Sequence, residues 1–138
     1  MNIAFFLTPK EELVYEDLDA TMRQALEKME YHRYTAIPLI NRRGKYVGTL
    51  TEGDLLWTIK NHPDKTYLDT SKVSVKDIER RVNNKAVRIT SNIGDLFSLI
   101  VNQNFVPVVD DNDVFIGIIK RSDILGYYNK KLIEKGLL

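Results

Sequence analysis

Two short stretches carry groups whose types and spacing suit the holding of a phosphorylated sugar. Gly48-Thr49-Leu50-Thr51-Glu52-Gly53-Asp54 sets a hydroxyl at position 51 and a carboxylate at 54. Gly117-Ile118-Ile119-Lys120-Arg121-Ser122-Asp123 sets two cations at 120 and 121 and a carboxylate at 123. A helix starting at the hydroxyl or basic residue would offer free N–H groups and a positive dipole end to a phosphate. The Asp one turn on can accept hydrogen bonds from both hydroxyls of a ribose, and a glycine lets the backbone approach a bound ring without a Cβ. The plainer reading is that Asp54 and Asp123 stabilise the first turn of a helix and that Lys120-Arg121 is a solvated edge.

Other chemistry has less to stand on. His32 and His62 are far apart in sequence and lack a carboxylate or hydroxyl at useful spacing, which supports neither a metal site nor a triad. The chain has no cysteine, so disulfides, zinc thiolates and thiol nucleophiles are out together. Asp110, Asp111 and Asp113 lack the spaced ligands and distal Glu of an EF-hand loop and read as a turn. No activated nucleophile or acid–base pair can be assembled, so the expectation is no catalytic residue, no metal and no enzyme.

The elements that position these groups come as a repeat. One 69-residue offset relates Pro38 to Pro107, Gly48 to Gly117 and Asp54 to Asp123. Upstream, Met22, Ala25, Leu26 and Met29 match Ile93, Leu96, Phe97 and Ile100 at an offset of 71, which puts two extra residues in the connection after the first helix. Met22, Ala25, Leu26 and Met29 have the spacing of one helix face, with Asp19 as its N-cap and Asn92 as the N-cap in the second repeat. Strands are expected over Ala36 to Ile40 and Tyr46 to Leu50, and over Phe105 to Val109 and Val114 to Ile119. Second helices follow at about Glu52 to Lys60 and Arg121 to Lys135. A short strand precedes each first helix, near Leu13 to Tyr15 and Ala86 to Ile89. The order β-α-β-β-α thus occurs twice, an α/β (α+β) chain in two repeats, 1–64 and 65–138. Between the repeats lies a polar linker, Asn61 to Ser74, that ends in a short helix near Val75 to Arg80.

Charge narrows the partners. The 20 Lys and Arg nearly cancel the 19 Asp and Glu, for a formal net charge of +1, without the basic excess of a nucleic-acid binder. The apolar run Ile3 to Leu7 is too short for a signal segment or membrane span, so a cytoplasmic address without membrane or nucleic acid is expected.

The paired stretches resemble the CBS domain, over nearly the whole chain. Gly48 to Leu56 fits that family's G-h-h-[ST]-x-x-D-h-h signature, and Gly117 to Leu125 fits it with Lys120 in the hydroxyl position. Thr35-Ala36-Ile37-Pro38-Leu39 is similar to the family's small-residue strand. The resemblance implies two repeats packed with pseudo-twofold symmetry (a Bateman module) around two clefts that bind adenine nucleotides. Each cleft takes its adenine contacts from one repeat and its ribose and phosphate contacts from the other. Carried over, the first cleft combines Val14, Tyr34, Thr35, Ala36 and Pro38 with Lys120, Arg121 and Asp123. The second, weaker one combines Arg88, Ile89, Asn104, Phe105 and Pro107 with Thr51, Glu52 and Asp54, where Glu52 adds an anion against polyphosphates.

A narrower resemblance is to the short stand-alone CBS proteins of Gram-positive bacteria that bind cyclic di-AMP, with Tyr34, Thr35 and Arg121 at matching positions. The basic residue those proteins place before the first strand falls at Glu12, with Lys10 nearby. The resemblance implies a regulatory module that binds AMP, ATP or cyclic di-AMP and signals to a partner protein in trans. The alternative is a ligand-free interaction module with vestigial clefts. Trp57, Tyr127 and Tyr128 fall on the second helices, where the family commonly forms a homodimer; a core role is equally open.

Overall fold

The computed structural model describes residues 1–138, and the chain divides into two compact units, Val14–Asn83 and Met1–Leu13 with Asn84–Leu138. The first thirteen residues thus belong to the unit of Asn84–Leu138, not to the one that directly follows them in the chain.

The unit Val14–Asn83 contains β2 (Glu16–Asp17), α1 (Met22–His32), β3 (Ala36–Ile40), β4 (Tyr46–Thr51) and α2 (Glu52–Lys60). Its sheet runs β2-β3-β4, parallel then antiparallel. Met22, Ala25 and Met29 of α1 bury against Ile37, Leu39, Leu50 and Leu55, as the helical spacing predicts. The N-cap of α1 is Thr21 rather than Asp19: Thr21 and Gln24 exchange side-chain and backbone hydrogen bonds as a capping box. Asp19 lies two residues too early and pairs with Arg42 at 2.8 Å instead. The first strand lies just past the expected Leu13 to Tyr15.

The expected polar linker is partly structured. A 3-10 helix spans Tyr67–Lys72 and another Val75–Asp77, in place of a helix reaching Arg80. The main chain of Val73 accepts the N–H of Met22 at 2.7 Å, and Arg23 donates to the carbonyl of Tyr67 at 2.8 Å. Val75 and Ile78 are buried in the same core.

The other unit holds β1 (Thr8–Pro9), β5 (Val87–Arg88), α3 (Ile93–Ile100), β6 (Phe105–Val109), β7 (Phe115–Lys120) and α4 (Arg121–Glu134). Its sheet order is β1-β7-β6-β5. Asn92 caps α3 as expected, accepting from the N–H of Asp95 at 2.9 Å. Ile3 and Phe6, on a 3-10 helix Ile3–Phe6, are buried with Leu96, Val106, Ile119 and Ile124.

The repeat survives at the level of register. Ala36 pairs with Thr51 and Leu39 with Gly48, as Phe105 pairs with Lys120 and Val108 with Gly117. Both hairpins shift register at the same point, between Leu39 and Ile40 and between Val108 and Val109. The extra length of the first repeat sits in the helix rather than in the connection after it: α1 has 11 residues and α3 has 8.

Candidate functional site

Each unit displays its signature at the junction of a hairpin and a helix. In Val14–Asn83, α1 ends on Arg33 in the left-handed region (φ 58°), which turns the chain so that Tyr34 and Thr35 emerge at the surface before β3. Pro38 is buried within β3, Ala36 is half-buried, and Val14, partly buried, packs against the core. Tyr34 is 47% exposed, and its ring lies parallel to that of His32, with centroids 5.8 Å apart. The carbonyl of Thr35 accepts the N–H of Glu52 at 2.9 Å. Tyr34, Thr35 and Glu52, split between two clefts by the resemblance, therefore line one cavity of about 390 Å³ with Leu26, Met29 and Leu55.

Asp54 faces inward. It is 1% exposed, its Oδ2 accepts the N–H of Thr51 at 2.9 Å, and its Oδ1 accepts the N–H of Arg81 at 3.0 Å. The hydroxyl of Thr51 in turn accepts the N–H of Asp54 at 3.1 Å. Both side chains expected to meet a nucleotide are thus engaged as a capping box, the plainer of the two sequence readings. Gly48 serves the chain itself: a Cβ there would stand 3.0 Å from Nε of Arg80. The guanidinium of Arg81 sits over the ring of Trp57 at 5.8 Å, so residues 80–81 lie across this signature.

The second signature is built on the same hairpin with a different outcome. Lys120 occupies the N-cap of α4 without a side-chain capping bond, because an ammonium cannot accept from a backbone N–H. Asp123, one turn on, is exposed and makes no intrachain hydrogen bond or ion pair. The N–H of Arg121 donates to the carbonyl of Asn104 at 2.9 Å, and its Nε to the carbonyl of Gln103 at 3.1 Å. Gly117 approaches backbone rather than a ring: a Cβ would lie 2.3 Å from the carbonyl oxygen of Thr8, where β1 pairs with β7.

Arg88 donates to the carbonyls of Asp110 (3.3 Å) and Asp111 (3.0 Å) and pairs with Asp113 at 2.9 Å, bracing the β6–β7 turn. Phe105 and Pro107 are buried, Ile89 packs against the core, and Asn104 is exposed. Tyr127 and Tyr128 form an aromatic cluster with Phe5, Phe6 and Phe97 inside their own unit, whereas Trp57 belongs to the other unit beneath Arg81. Sequence reasoning missed Gln103, buried behind Arg121; its one signal is that the 69-residue offset aligns it with Tyr34.

No group of three or more His, Asp or Glu side chains could hold a metal ion, and no helix is long and apolar enough to cross a membrane. The CBS domain family model matches the chain twice, over residues 7–61 and 75–130. An uncharacterized protein of Methanocaldococcus jannaschii is 28% identical over 144 residues, covering 84% of each chain. The fold is that of CbpB from Listeria monocytogenes, solved in complex with c-di-AMP, with TM-score 0.83 and 20% identity over 96% of this chain and 98% of that one. CBSX2, solved in complex with AMP, matches with TM-score 0.72 and 25% identity over 94% of this chain and 96% of that one.

Proposed function

The chain belongs to the CBS-domain family, and from that premise we propose that it is a regulatory module that binds an adenine nucleotide and reports it to a partner protein in trans. Arg121 takes the phosphate and Asp123 the ribose hydroxyls. The observation that carries this reading is the contrast between the two signatures. Asp54 is buried and used by its own chain, while Asp123, two residues after Arg121 and one helical turn after Lys120, is exposed with its acceptors free. A carboxylate with free lone pairs beside two cations at a helix start suits a ribose phosphate.

The same contrast favours a vestigial role for the other signature alone, so one ligand-competent signature is expected per chain. The complexes of CbpB with c-di-AMP and CBSX2 with AMP support an adenine ligand, with Tyr34, Thr35 and Arg121 favouring the cyclic dinucleotide. The reading includes a cytoplasmic, non-catalytic protein working as a homodimer. Exposed Leu56, Trp57 and Ile59 on α2 and Leu125 and Leu132 on α4 supply apolar surface for pairing. Light scattering at micromolar concentration checks that state, and a monomer contradicts it.

A thermal-shift and calorimetric panel of adenosine, AMP, ATP and c-di-AMP tests the ligand. A nucleotide at 100 times its Kd should stabilise the fold by about 2.7 kcal/mol. No response to any of them would leave the ligand-free interaction module as the function.

A further inference from the structure

Gln103 holds the position that Tyr34 holds in the other repeat, yet it is used in the opposite way. Tyr34 is open to solvent, whereas Gln103 is 7% exposed. Its amide oxygen accepts the N–H of Lys85 at 2.8 Å, and its amide nitrogen donates to the carbonyls of Lys85 at 3.0 Å and Phe105 at 3.2 Å. A primary amide offers two donors and one carbonyl oxygen, and here both donors and the oxygen are engaged. The N–H of Gln103 donates to the carbonyl of Leu99 at 2.9 Å, so side chain and main chain are both fixed. The remaining polar group of the residue, its carbonyl, accepts Nε of Arg121.

An arginine tethered through Nε keeps its two Nη groups for a ligand, and those of Arg121 make no bond within the chain. We propose that Gln103 is a positioning residue for Arg121, holding the guanidinium in a fixed orientation so that its Nη edge meets the phosphate. The effect on ligand rests on the reading of Arg121 given above; the tether itself does not. With the amide removed, the N–H of Lys85 and the carbonyls of Lys85 and Phe105 lose their partner. Residue 103 is then free to turn its carbonyl away from Nε. Sequence alone shows only a polar residue between α3 and β6; burial and the direction of one carbonyl make it part of the site.

The test compares wild type, Gln103→Leu, Gln103→Glu and Arg121→Ala. Nitrogen-resolved NMR of arginine side chains follows the Nε–H of Arg121 without any ligand, its signal identified by loss in Arg121→Ala. Calorimetry measures AMP against adenosine, which lacks the phosphate. In wild type the Nε–H should exchange slowly with solvent, and in Gln103→Leu about tenfold faster or more. AMP affinity should fall about three- to tenfold, as for loss of one net hydrogen bond, with adenosine changed far less. A purely structural role would weaken both ligands alike. Gln103→Glu keeps the acceptor for Lys85 and loses both donations, so it gives the same readouts if the Leu variant does not fold. Unchanged exchange in both Gln103 variants overturns the proposal, as does faster exchange with an unchanged AMP-to-adenosine ratio. If wild type binds no adenine compound, the functional reading fails while the exchange measurement still decides whether Gln103 sets Arg121.

Discussion

The carboxylate of Asp54 accepts the main-chain N–H of Arg81, 27 residues further along the chain, at 3.0 Å. With its other oxygen on the N–H of Thr51, the side chain closes the start of α2 and pins the segment that follows Ile78. Asp123, at the equivalent place in the repeat, makes neither bond. The N-caps differ as well: the hydroxyl of Thr51 accepts the N–H of Asp54, and Lys120 has no acceptor to offer the N–H of Asp123.

These two aspartates should therefore separate stability from binding. Asp54→Ala loses a cap and the bond that holds the N–H of Arg81, a cost of about 1–2 kcal/mol. Asp123→Ala should leave stability within about 0.5 kcal/mol and weaken the adenine nucleotide roughly ten- to a hundredfold. Denaturant unfolding and calorimetry on both variants check the pair. Loss of binding in Asp54→Ala with normal binding in Asp123→Ala would reverse the assignment of the two signatures.

Arg121→Ala should discriminate among ligands. Affinity for AMP should fall roughly tenfold or more while adenosine is spared, and the gap should narrow as salt rises, because the lost contact is between charges. Titration at low and high ionic strength measures it, and equal loss for adenosine would contradict it.

Gly117→Ala tests the pairing of β1 with β7. The added Cβ would stand 2.3 Å from the carbonyl oxygen of Thr8, and since that atom is backbone, the strand must move. Overpacking of this kind costs about 1–3 kcal/mol. Hydrogen exchange should show the residue 8–9 segment losing protection first; a fully protected β1 in the variant would place the strain elsewhere.

Alkaline pH should loosen the linker from α1. The hydroxyl of Tyr67 donates to the carboxylate of Glu27, and that bond raises its pKa above the usual tyrosine value. A raised folded value means the contribution is present below about pH 10 and lost as pH climbs through the folded value. Tyr46 titrates late as well, chiefly because it is buried. In an absorbance titration Tyr67→Phe should remove one late-titrating tyrosine. The stability difference between wild type and Tyr67→Phe should shrink at high pH, and a difference that grows there would refute the sign.

The hairpins and second helices were legible because periodicity, turn residues and the repeat all agreed; Ala36–Ile40 and Phe105–Val109 fall where the pattern predicts. Capping at Thr21 was harder to see, since Asp19 is an equally good cap by type and position decides between them. The Tyr67–Lys72 turn was hidden because it is held by Arg23 and Thr66 rather than by an apolar stripe. Within the site, residue type announced Arg121 and Asp123. It could not show that Asp54 is consumed or that Gln103 is buried, because both depend on segments brought in from elsewhere along the chain.

The packing of Met1–Leu13 with Asn84–Leu138 makes the order of synthesis differ from the order of completion. Residues 14–83 have all their core partners as soon as they leave the ribosome, so their unit can fold while the rest is being made. Ile3, Phe6 and β1 must wait for Leu96, Ile119 and β7, which are made later. During that interval the apolar run Ile3 to Leu7 lacks its cover. A chain cut short after the first repeat would carry that run with nothing to cover it, marking the fragment for chaperone capture or proteolysis even though its own repeat had folded.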